Sequence, residues 1–224
     1  MIDQPPPGFV ALDPGKPVTI RVRHLPHWRQ DGATYFATFR LADSLPARKL
    51  AEWRAEREIW AQRNPKPTDH EMSEQQKAYQ AKVEHWLDQG SGSCLLACDE
   101  VAQIVKERLL HFDGTQYALF SFVIMPNHIH ACVRPSNGAD LDAILQAWKS
   151  VSAKMVNRTL DRKGRLWQDE CFDRIVRDSA HLRRVIHYIE SNPAKAATKQ
   201  AHCWTTPAWD QWLGRQASQR THLE

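Results

Sequence analysis

Residues 117–135, YALFSFVIMPNHIHACVRP, contain two strand-like runs separated by the turn pair Pro126-Asn127. The first run, from Tyr117 to Met125, is almost continuously apolar, which is typical of a strand covered on both faces. The second run starts at His128, directly after the turn, and ends at Pro135. Two such runs joined by so short a turn predict two consecutive β-strands.

The flanking sequence predicts further strands and helices on both sides of this pair. Further strands are expected at 35–41 and in a hairpin-like stretch at 166–168 and 172–176. Helices are expected at 99–111, from 139 or 140 to between 157 and 162, and at 179–191. Asp178 is suited to cap the last helix, and Pro193 is expected to stop it at Ser191.

The order of these elements predicts the fold class. With the segment 47–90 set aside, the order is β, α, β, β, α, β, α, which fits an α+β fold with a ferredoxin-like antiparallel sheet and helices mainly on one face. The segment 47–90 is predicted to be a two-helix insertion, with helices at 47–62 and about 71–88. Its eight basic and eight acidic residues balance, so we expect it to lie outside the catalytic element.

Length and composition set the remaining limits. The 224 residues predict a single domain over 1–224, with a proline-rich, irregular N-terminal arm at 1–32. No apolar run approaches the ~18 residues that a membrane span requires, so no membrane partner is expected. The five scattered cysteines suit reduced thiols, and a cytoplasmic location is therefore expected.

Charge is unevenly distributed along the chain. The net charge is only +4, but the segment 149–199 holds twelve Lys or Arg against six Asp or Glu. A basic segment on an otherwise balanced protein is the electrostatic pattern expected for a polyanion partner, and nucleic acid is the commonest one. A solvated basic surface without a partner is the alternative.

His128 and His130 are the first candidates for chemistry. Residues two apart on a strand point the same way, so both imidazoles can face one metal ion while Ile129 points into the core. With eleven histidines in the chain, about half an H-x-H triplet is expected by chance, so the triplet alone is weak evidence. Two histidines without a ligand are the alternative.

The predicted last helix carries the second candidate. Arg184, Tyr188 and Asn192 are spaced by four and form a polar ridge beside the apolar stripe. A tyrosine between an arginine and an amide is placed for phosphate chemistry. The alternative is a half-buried tyrosine whose hydroxyl binds water, followed by an amide at the helix C-terminus.

Several strings in this order resemble one protein family. They are TFRLADSLP at 38–46, VIMPNHIH at 123–130, LWQ at 166–168, FDRIVRD at 172–178 and YIESNP at 188–193. Together they look like the REP-associated tyrosine transposases, which belong to the HUH endonuclease superfamily with the single-tyrosine insertion-sequence transposases. The resemblance covers about residues 34–196 and is interrupted by the insertion at 47–90.

The resemblance implies an HUH endonuclease fold and a metal-dependent DNA endonuclease and transposase. It implies that Tyr188 is the nucleophile, that His128 and His130 bind a divalent cation, and that Asn192 completes the metal site. Such a site cuts single-stranded or hairpin DNA, such as a REP element, through a 5′-phosphotyrosine intermediate and then rejoins it in DNA transposition and recombination. Imidazole and amide ligands suit Mg²⁺ or Mn²⁺, and DNA binding implies association with the nucleoid.

Basic side chains near these residues are the candidate DNA contacts. They are Arg134, Lys149, Lys154, Arg158, Arg174, Arg177, Arg183 and Arg184. The C-terminal extension at 197–224 is assigned no role beyond packing or DNA contact. A monomer and a homodimer are both compatible with the sequence.

Two other classes of function remain open at this point. One is a non-catalytic regulator that binds hairpin DNA on the same fold, although such a protein has no need of His128, His130 and Tyr188 together. The other is a small metal-dependent hydrolase that uses the H-x-H strand with a carboxylate and does not act on DNA. The hydrolase predicts neither strong salt-dependent DNA binding nor an effect of Tyr188→Phe.

Overall fold

The computed structural model describes residues 6–22, 26–196, 198, 200–210 and 212–213. Strands in this part of the chain are β1 (Thr19–Val22), β2 (Pro26–Arg29), β3 (Tyr35–Arg40), β4 (Tyr117–Ile124), β5 (His128–Pro135), β6 (Phe172–Ile175) and β7 (His202–Thr205). Helices are α1 (Ala47–Arg63), α2 (Asp69–Asp88), α3 (Asp99–Leu110), α4 (Leu141–Thr159), α5 (Ser179–Lys195) and α6 (Pro207–Asp210), with a 3₁₀ turn at Leu95–Ala97. None of these helices combines the length and apolarity needed to cross a membrane.

The main sheet has five strands in the order β6-β3-β5-β4-β7, and every neighbouring pair is antiparallel. The predicted strand pair at 117–135 is its centre: β4 pairs with β5, and the Met125 amide donates to the His128 carbonyl across the turn at 2.9 Å. The predicted α+β fold with an antiparallel sheet is therefore confirmed.

Each face of the sheet is covered by helices. On one face, apolar side chains of α3 and α4 pack against residues such as Phe39 and Ile129. On the other face, Phe36, Val123 and Cys132 pack against α5. Because side chains alternate along a strand, His128 and His130 share the face of Cys132 and point toward α5, whereas Ile129 points into the larger core as predicted.

Helix α5 does not end at Ser191, as the sequence predicted, but continues through Pro193 to Lys195. Proline lacks the N–H that would bond one turn back, and this disfavours a helix interior. Here only the last turn is affected, and Ile189 and Asn192 on the buried face hold it against the sheet. Asn192 therefore lies in regular helix, one turn after Tyr188.

The N-terminal arm is more ordered than predicted. β1 and β2 form an antiparallel two-stranded sheet, with Thr19 opposite Arg29 and Val22 opposite Pro26. The proline density of the arm obscured the β-branched run at 18–20, which is a strand signal. Residues 1–5 and 23–25 of the predicted arm lie outside the described residues.

Part of the predicted C-terminal extension belongs to the sheet. β7 pairs along the edge of β4, and the Trp209 ring is fully buried and stacks on Phe120 with centroids 4.0 Å apart. The sequence did not predict β7, because an edge strand of four residues is too short to show a clear pattern. Residues 197, 199, 211 and 214–224 of this extension lie outside the described part of the chain.

The segment 47–90 forms the predicted helix pair. A capping box between Thr68 and Glu71 starts α2, and the rings of Trp53 and Tyr79 stack between the helices with centroids 4.0 Å apart. No residue of α1 is buried, whereas Leu87 near the end of α2 is 1% exposed. The second helix of the insertion therefore packs onto the body of the protein.

Candidate active site

The two histidines of β5 face each other within the protein. His128 and His130 are both buried, and their Nε2 atoms lie 3.0 Å apart. Two ligand atoms at about 2.1 Å from one octahedral cation, at right angles, are about 3 Å apart. The spacing of the two imidazoles therefore fits a shared cation.

The Nδ1 atoms of His128 and His130 each lie against an uncharged side chain. Asn127 donates through Nδ2 to the carbonyls of Leu87 and Ser91, at 3.2 and 3.1 Å, so its Oδ1 faces His128 Nδ1 at 2.8 Å. His128 Nδ1 must then donate, which leaves the Nε2 lone pair exposed to the shared point. Thr38 Oγ1 lies 2.8 Å from His130 Nδ1 and, as a hydroxyl, can either donate or accept.

The Thr38 hydroxyl allows His128 and His130 two hydrogen-bonding arrangements. When Thr38 donates to Nδ1, His130 carries a proton on Nε2 and donates it to His128. When Thr38 accepts instead, both Nε2 atoms are unprotonated, and their lone pairs would be available to a cation. Either arrangement satisfies all four ring nitrogens.

Burial keeps both imidazoles neutral. It lowers the pKa of His128 to about 3 and that of His130 well below its usual value, helped for His130 by the positive side chains of Arg174 and Lys195. A neutral imidazole is the form that binds metal. The pair is therefore available as ligands well below neutral pH.

Tyr188 reaches this pair from α5. Its hydroxyl lies 3.4 Å from His130 Nε2, and its ring packs edge-on against His130 and Phe36, with centroids 5.0 and 5.8 Å away. Burial, and then the negative charge of Glu84, raises the pKa of Tyr188 far above its ordinary value. The phenol is thus protonated and held beside the point where the two imidazoles meet.

Asn192 stands one turn beyond the tyrosine on the same helix. Its side chain is 1% exposed and lies close enough to Tyr188 to offset part of the rise in the pKa of that phenol. The amide Oδ1 is buried without a hydrogen-bond partner in the described structure, and such an atom is costly unless something else binds it. An unpartnered amide oxygen one helical turn from Tyr188 is a candidate third ligand for a cation held by the two imidazoles.

Among the described residues there is no cluster of three or more His, Cys, Asp or Glu side chains that could hold a metal. The candidate ligands for a cation at this site are the two imidazoles and the amide oxygen of Asn192, and water would fill the remaining positions.

Two positive side chains border the tyrosine. The Arg174 guanidinium lies over the Phe36 ring, 5.0 Å from its centroid, and the Lys195 ammonium lies 4.7 Å from the centroid of the Tyr188 ring. Phe36 in turn stacks on His130. On this side of the sheet, two positively charged side chains thus lie beside the candidate nucleophile, where they can contact a phosphate.

The structure separates the predicted DNA contacts into two groups. Those on the α5 side are Arg134, which shares a strand face with His130, and Arg174, Arg177, Arg183 and Arg184 in β6, α5 and the turn between them. Lys154 and Arg158 are exposed on α4, which covers the opposite face of the sheet. Lys149 is buried, and its ammonium donates to the carbonyls of Gln168 and Asp169 at 3.3 and 2.7 Å, so we assign it a structural role.

Four residues of the site were not singled out from the sequence: Thr38, Glu84, Asn127 and Lys195. Lys195 follows Tyr188 by two helical turns, so its spacing was a usable signal. Asn127 adjoins the histidine strand, and Thr38 pairs with His130 across β3 and β5, which required the strand register. Glu84 lies more than a hundred residues before Tyr188, and no local pattern connects them.

Comparisons with known proteins found one family model and a solved structure that are similar to this chain. Residues 98–192 match the model of the family described as "Transposase IS200 like", a span that includes β5 and Tyr188. No curated protein matches the chain. A solved structure described as "Structure of the REP associates tyrosine transposase bound to a REP hairpin" is 12% identical, over 78% of this chain and 74% of that chain, with a TM-score of 0.44. The first match agrees with the resemblance found in the sequence: over residues 98–192 the chain is similar to the IS200-like transposases.

Proposed function

We propose that the chain cuts and rejoins single-stranded or hairpin DNA through a covalent bond between Tyr188 and a 5′ phosphate. The observation that carries this proposal is the 3.4 Å distance between the Tyr188 hydroxyl and His130 Nε2, at the point where the two buried imidazoles meet. A nucleophile beside a candidate cation site is the arrangement that phosphoryl transfer needs.

His128, His130 and Asn192 are the residues that would hold the divalent cation, Mg²⁺ or Mn²⁺. Bound there, the ion would supply charge withdrawal from a phosphate oxygen and from the leaving 3′ oxygen. The support for this assignment is the 3.0 Å imidazole spacing and the unpartnered Asn192 oxygen.

The chain's own residues orient the reacting groups. The Tyr188 oxygen forms a bond to phosphorus, the bond from phosphorus to the 3′ oxygen breaks, the phenolic proton is released, and the 3′ oxygen takes up a proton. Arg174 and Lys195 are placed to balance the phosphate charge. Because the phosphodiester energy is kept in the phosphotyrosine, a second 3′ hydroxyl can attack it and complete strand transfer without ATP.

DNA binding is proposed for the basic surface around α5. Arg177 and Arg184 are exposed there, and Arg134 extends along the strand that bears the histidines. Contacts of this kind bind the phosphate backbone and weaken steeply with salt. The order of bases that is recognised depends on contacts beyond these charges.

A labelled hairpin oligonucleotide with a single-stranded tail, incubated with Mg²⁺ or Mn²⁺, tests the proposal. We expect a covalent protein-DNA adduct on a denaturing gel, and its loss in Tyr188→Phe. Tyr35→Phe is the matched control, because it removes a buried tyrosine hydroxyl on the opposite face of the sheet. Salt-dependent binding without an adduct would instead support the non-catalytic regulator, and an adduct in Tyr188→Phe would exclude this nucleophile.

A further inference from the structure

A cleft lies between the two-helix insertion and the body of the protein. Its larger part has a volume of about 410 Å³, within the ~300–1,000 Å³ range of small-ligand sites. A smaller cavity adjoins it, and Arg40, Tyr79 and Glu170 line both. The smaller cavity reaches Thr38, whose hydroxyl contacts His130. The cleft therefore extends from the insertion to the histidine pair.

Arg40 is a buried charge where the two cavities meet. It is directly opposite His128 in the pairing of β3 with β5, so the two side chains lie on the same face of the sheet. Arg40 is 7% exposed, and its guanidinium donates to Ser44 Oγ at 3.1 Å. Ser44 is uncharged, and so is Tyr79 beside it in the cleft. The contacts of Arg40 therefore leave its charge without a counter-ion.

Arg29 shows how a buried arginine is balanced elsewhere in this protein. It is 8% exposed, and its guanidinium forms ion pairs with Asp142 and Asp173, each at 2.5 Å. In the part of the chain that the structure describes, no Asp or Glu forms such a pair with Arg40. A buried charge is costly unless it is paired, and an arginine keeps its proton in proteins. The unpaired guanidinium therefore points to an anion that comes from outside the chain.

The aromatic wall of the larger cavity suits an unpaired base. The Trp53 ring lines this cavity and stacks on Tyr79, with centroids 4.0 Å apart. The Arg57 guanidinium lies over the Trp53 ring, 5.6 Å from its centroid. Aromatic rings beside basic groups bind single-stranded nucleic acid, because the rings stack on the bases while the positive charges contact the phosphates.

The charge of the larger cavity suits a phosphate backbone. The charged side chains that line it are Arg40, Arg54, Arg57, Glu58 and Glu170. Glu170 forms an ion pair with His27 at 2.9 Å, so its charge is already engaged. Three guanidiniums then face one further carboxylate, and this excess of positive charge favours a polyanion.

We propose that this cleft binds the unpaired DNA strand next to the hairpin, and that Arg40 contacts one of its phosphates. The inference rests on the proposed function, since it takes single-stranded DNA as the ligand. It gives the insertion a part in holding the strand, although the sequence led us to expect the insertion outside the catalytic element. A strand in the cleft would lie beside the β3 and β5 positions that face the candidate site.

Two matched hairpins, one with a single-stranded tail and one without, test the contact. Fluorescence anisotropy in EDTA measures binding without a divalent cation. We expect Arg40→Met to weaken the Kd for the tailed hairpin by about 10-fold and to reduce the slope of log K against log salt by about 0.7, the value for one phosphate of a single strand. The Kd for the hairpin without a tail should change by less than about 2-fold.

Arg63→Ala is the control, because Arg63 is a basic residue of α1 that does not line the cavity. It should change the Kd for either hairpin by less than about 2-fold. Arg40→Lys keeps the charge and should keep the salt slope of the wild type. An unchanged Kd for the tailed hairpin in Arg40→Met, an equal loss for both hairpins, or a reduced slope in Arg40→Lys would each overturn the proposal.

A tail with a neutral backbone identifies the group that Arg40 contacts. Methylphosphonate linkages remove the charge of the tail phosphates and leave the bases in place. The wild type and Arg40→Met should then bind the tailed hairpin with Kd values within about 2-fold of each other. A difference as large as that on the normal tail would overturn the phosphate contact.

Urea denaturation separates binding from a structural role. Removal of an unpaired buried charge relieves its desolvation cost, so Arg40→Met without DNA should unfold at the same urea concentration as the wild type or at a higher one. Ser44 keeps its own hydrogen bond to the Leu41 carbonyl at 2.8 Å. A lowered midpoint in Arg40→Met would assign the guanidinium to the stability of the fold and overturn the proposal.

The proposed cleavage and the proposed cleft fail in different ways. If the wild type forms the Tyr188 adduct and Arg40→Met binds the tailed hairpin as tightly as the wild type, only the cleft is wrong. If binding of the tail depends on Arg40 but no adduct forms with Mg²⁺ or Mn²⁺, only the cleavage is wrong.

Discussion

Two buried histidine sites in this protein have opposite charge states. His27 in β2 bonds to Asp173 and Glu170, at 2.6 and 2.9 Å; burial lowers its pKa, but these two carboxylates raise it more, to about 9. His128 in β5 is also buried but bonds to the neutral amide of Asn127, and burial lowers its pKa to about 3. Burial alone therefore does not decide what a histidine does; the charge of its partner does.

The difference separates a structural histidine from a candidate ligand. Protonated His27, together with Arg29, binds the N-terminal hairpin to Asp173 on β6. Neutral His128 has a lone pair available for a cation. A histidine pair with neutral partners is thus the better metal site, although the His27 region contains more charged groups.

The largest expected effect comes from removing the Asp173 carboxylate, which binds His27 and Arg29. Asp173→Asn leaves Arg29 and protonated His27 buried with fewer counter-charges, and we expect a loss of about 3 kcal/mol or more in the free energy of unfolding. Urea denaturation at pH 7 measures it. Asp140→Asn is the control: its pair with Arg21 is about half exposed and should contribute less than about 1 kcal/mol. Equal losses in the two variants would contradict the comparison.

The protonation of His27 predicts a loss of stability in alkali. Because its folded pKa of about 9 lies above the usual 6.5, its contribution is complete below pH about 6.5 and disappears as the pH rises through about 9; its size is at most about 3 kcal/mol. The difference in unfolding free energy between wild type and His27→Gln should therefore shrink between pH 6 and pH 10. A constant difference would show that His27 is not charged.

The neutral pair predicts stabilisation by metal. Mn²⁺ at about ten times its Kd should stabilise the fold by about 1.4 kcal/mol, seen as a rise in Tm. His128→Ala and His130→Ala should abolish this rise, whereas His27→Gln should keep it. Because burial holds the pKa of His128 near 3, the rise should persist at pH 5.5. Its loss at that pH in the wild type would contradict the buried, neutral state of the pair.

The smallest expected effect compares the two faces of the sheet. Arg177→Ala and Arg184→Ala, on the α5 side, should each weaken hairpin binding several-fold and reduce the slope of log K against log salt by about 1. Lys154→Ala and Arg158→Ala, on α4, should leave both quantities nearly unchanged. Fluorescence anisotropy over a series of salt concentrations measures the affinity and the slope. Equal effects of the substitutions on the two faces would indicate that DNA contacts both faces of the sheet.

The sequence by itself determined the local parts of this protein. The apolar run, the turn pair and the run that follows it in 117–135 predicted β4 and β5. Side chains alternate along any strand, and this put His128 and His130 on one face. Tyr188 and Asn192 were placed on one ridge because residues four apart on a helix lie on the same face. The family resemblance then linked these two elements, which no periodicity connects.

Only the tertiary structure decided which distant groups meet. Three features depend on packing between elements far apart in the chain: the continuation of α5 through Pro193, the addition of β7 to the sheet, and the approach of the Glu84 charge to Tyr188. The same is true of the opposite charges of His27 and His128, because each pKa is set by partners and burial that the fold supplies. Local periodicity follows from backbone geometry, whereas these contacts follow from how the elements pack together.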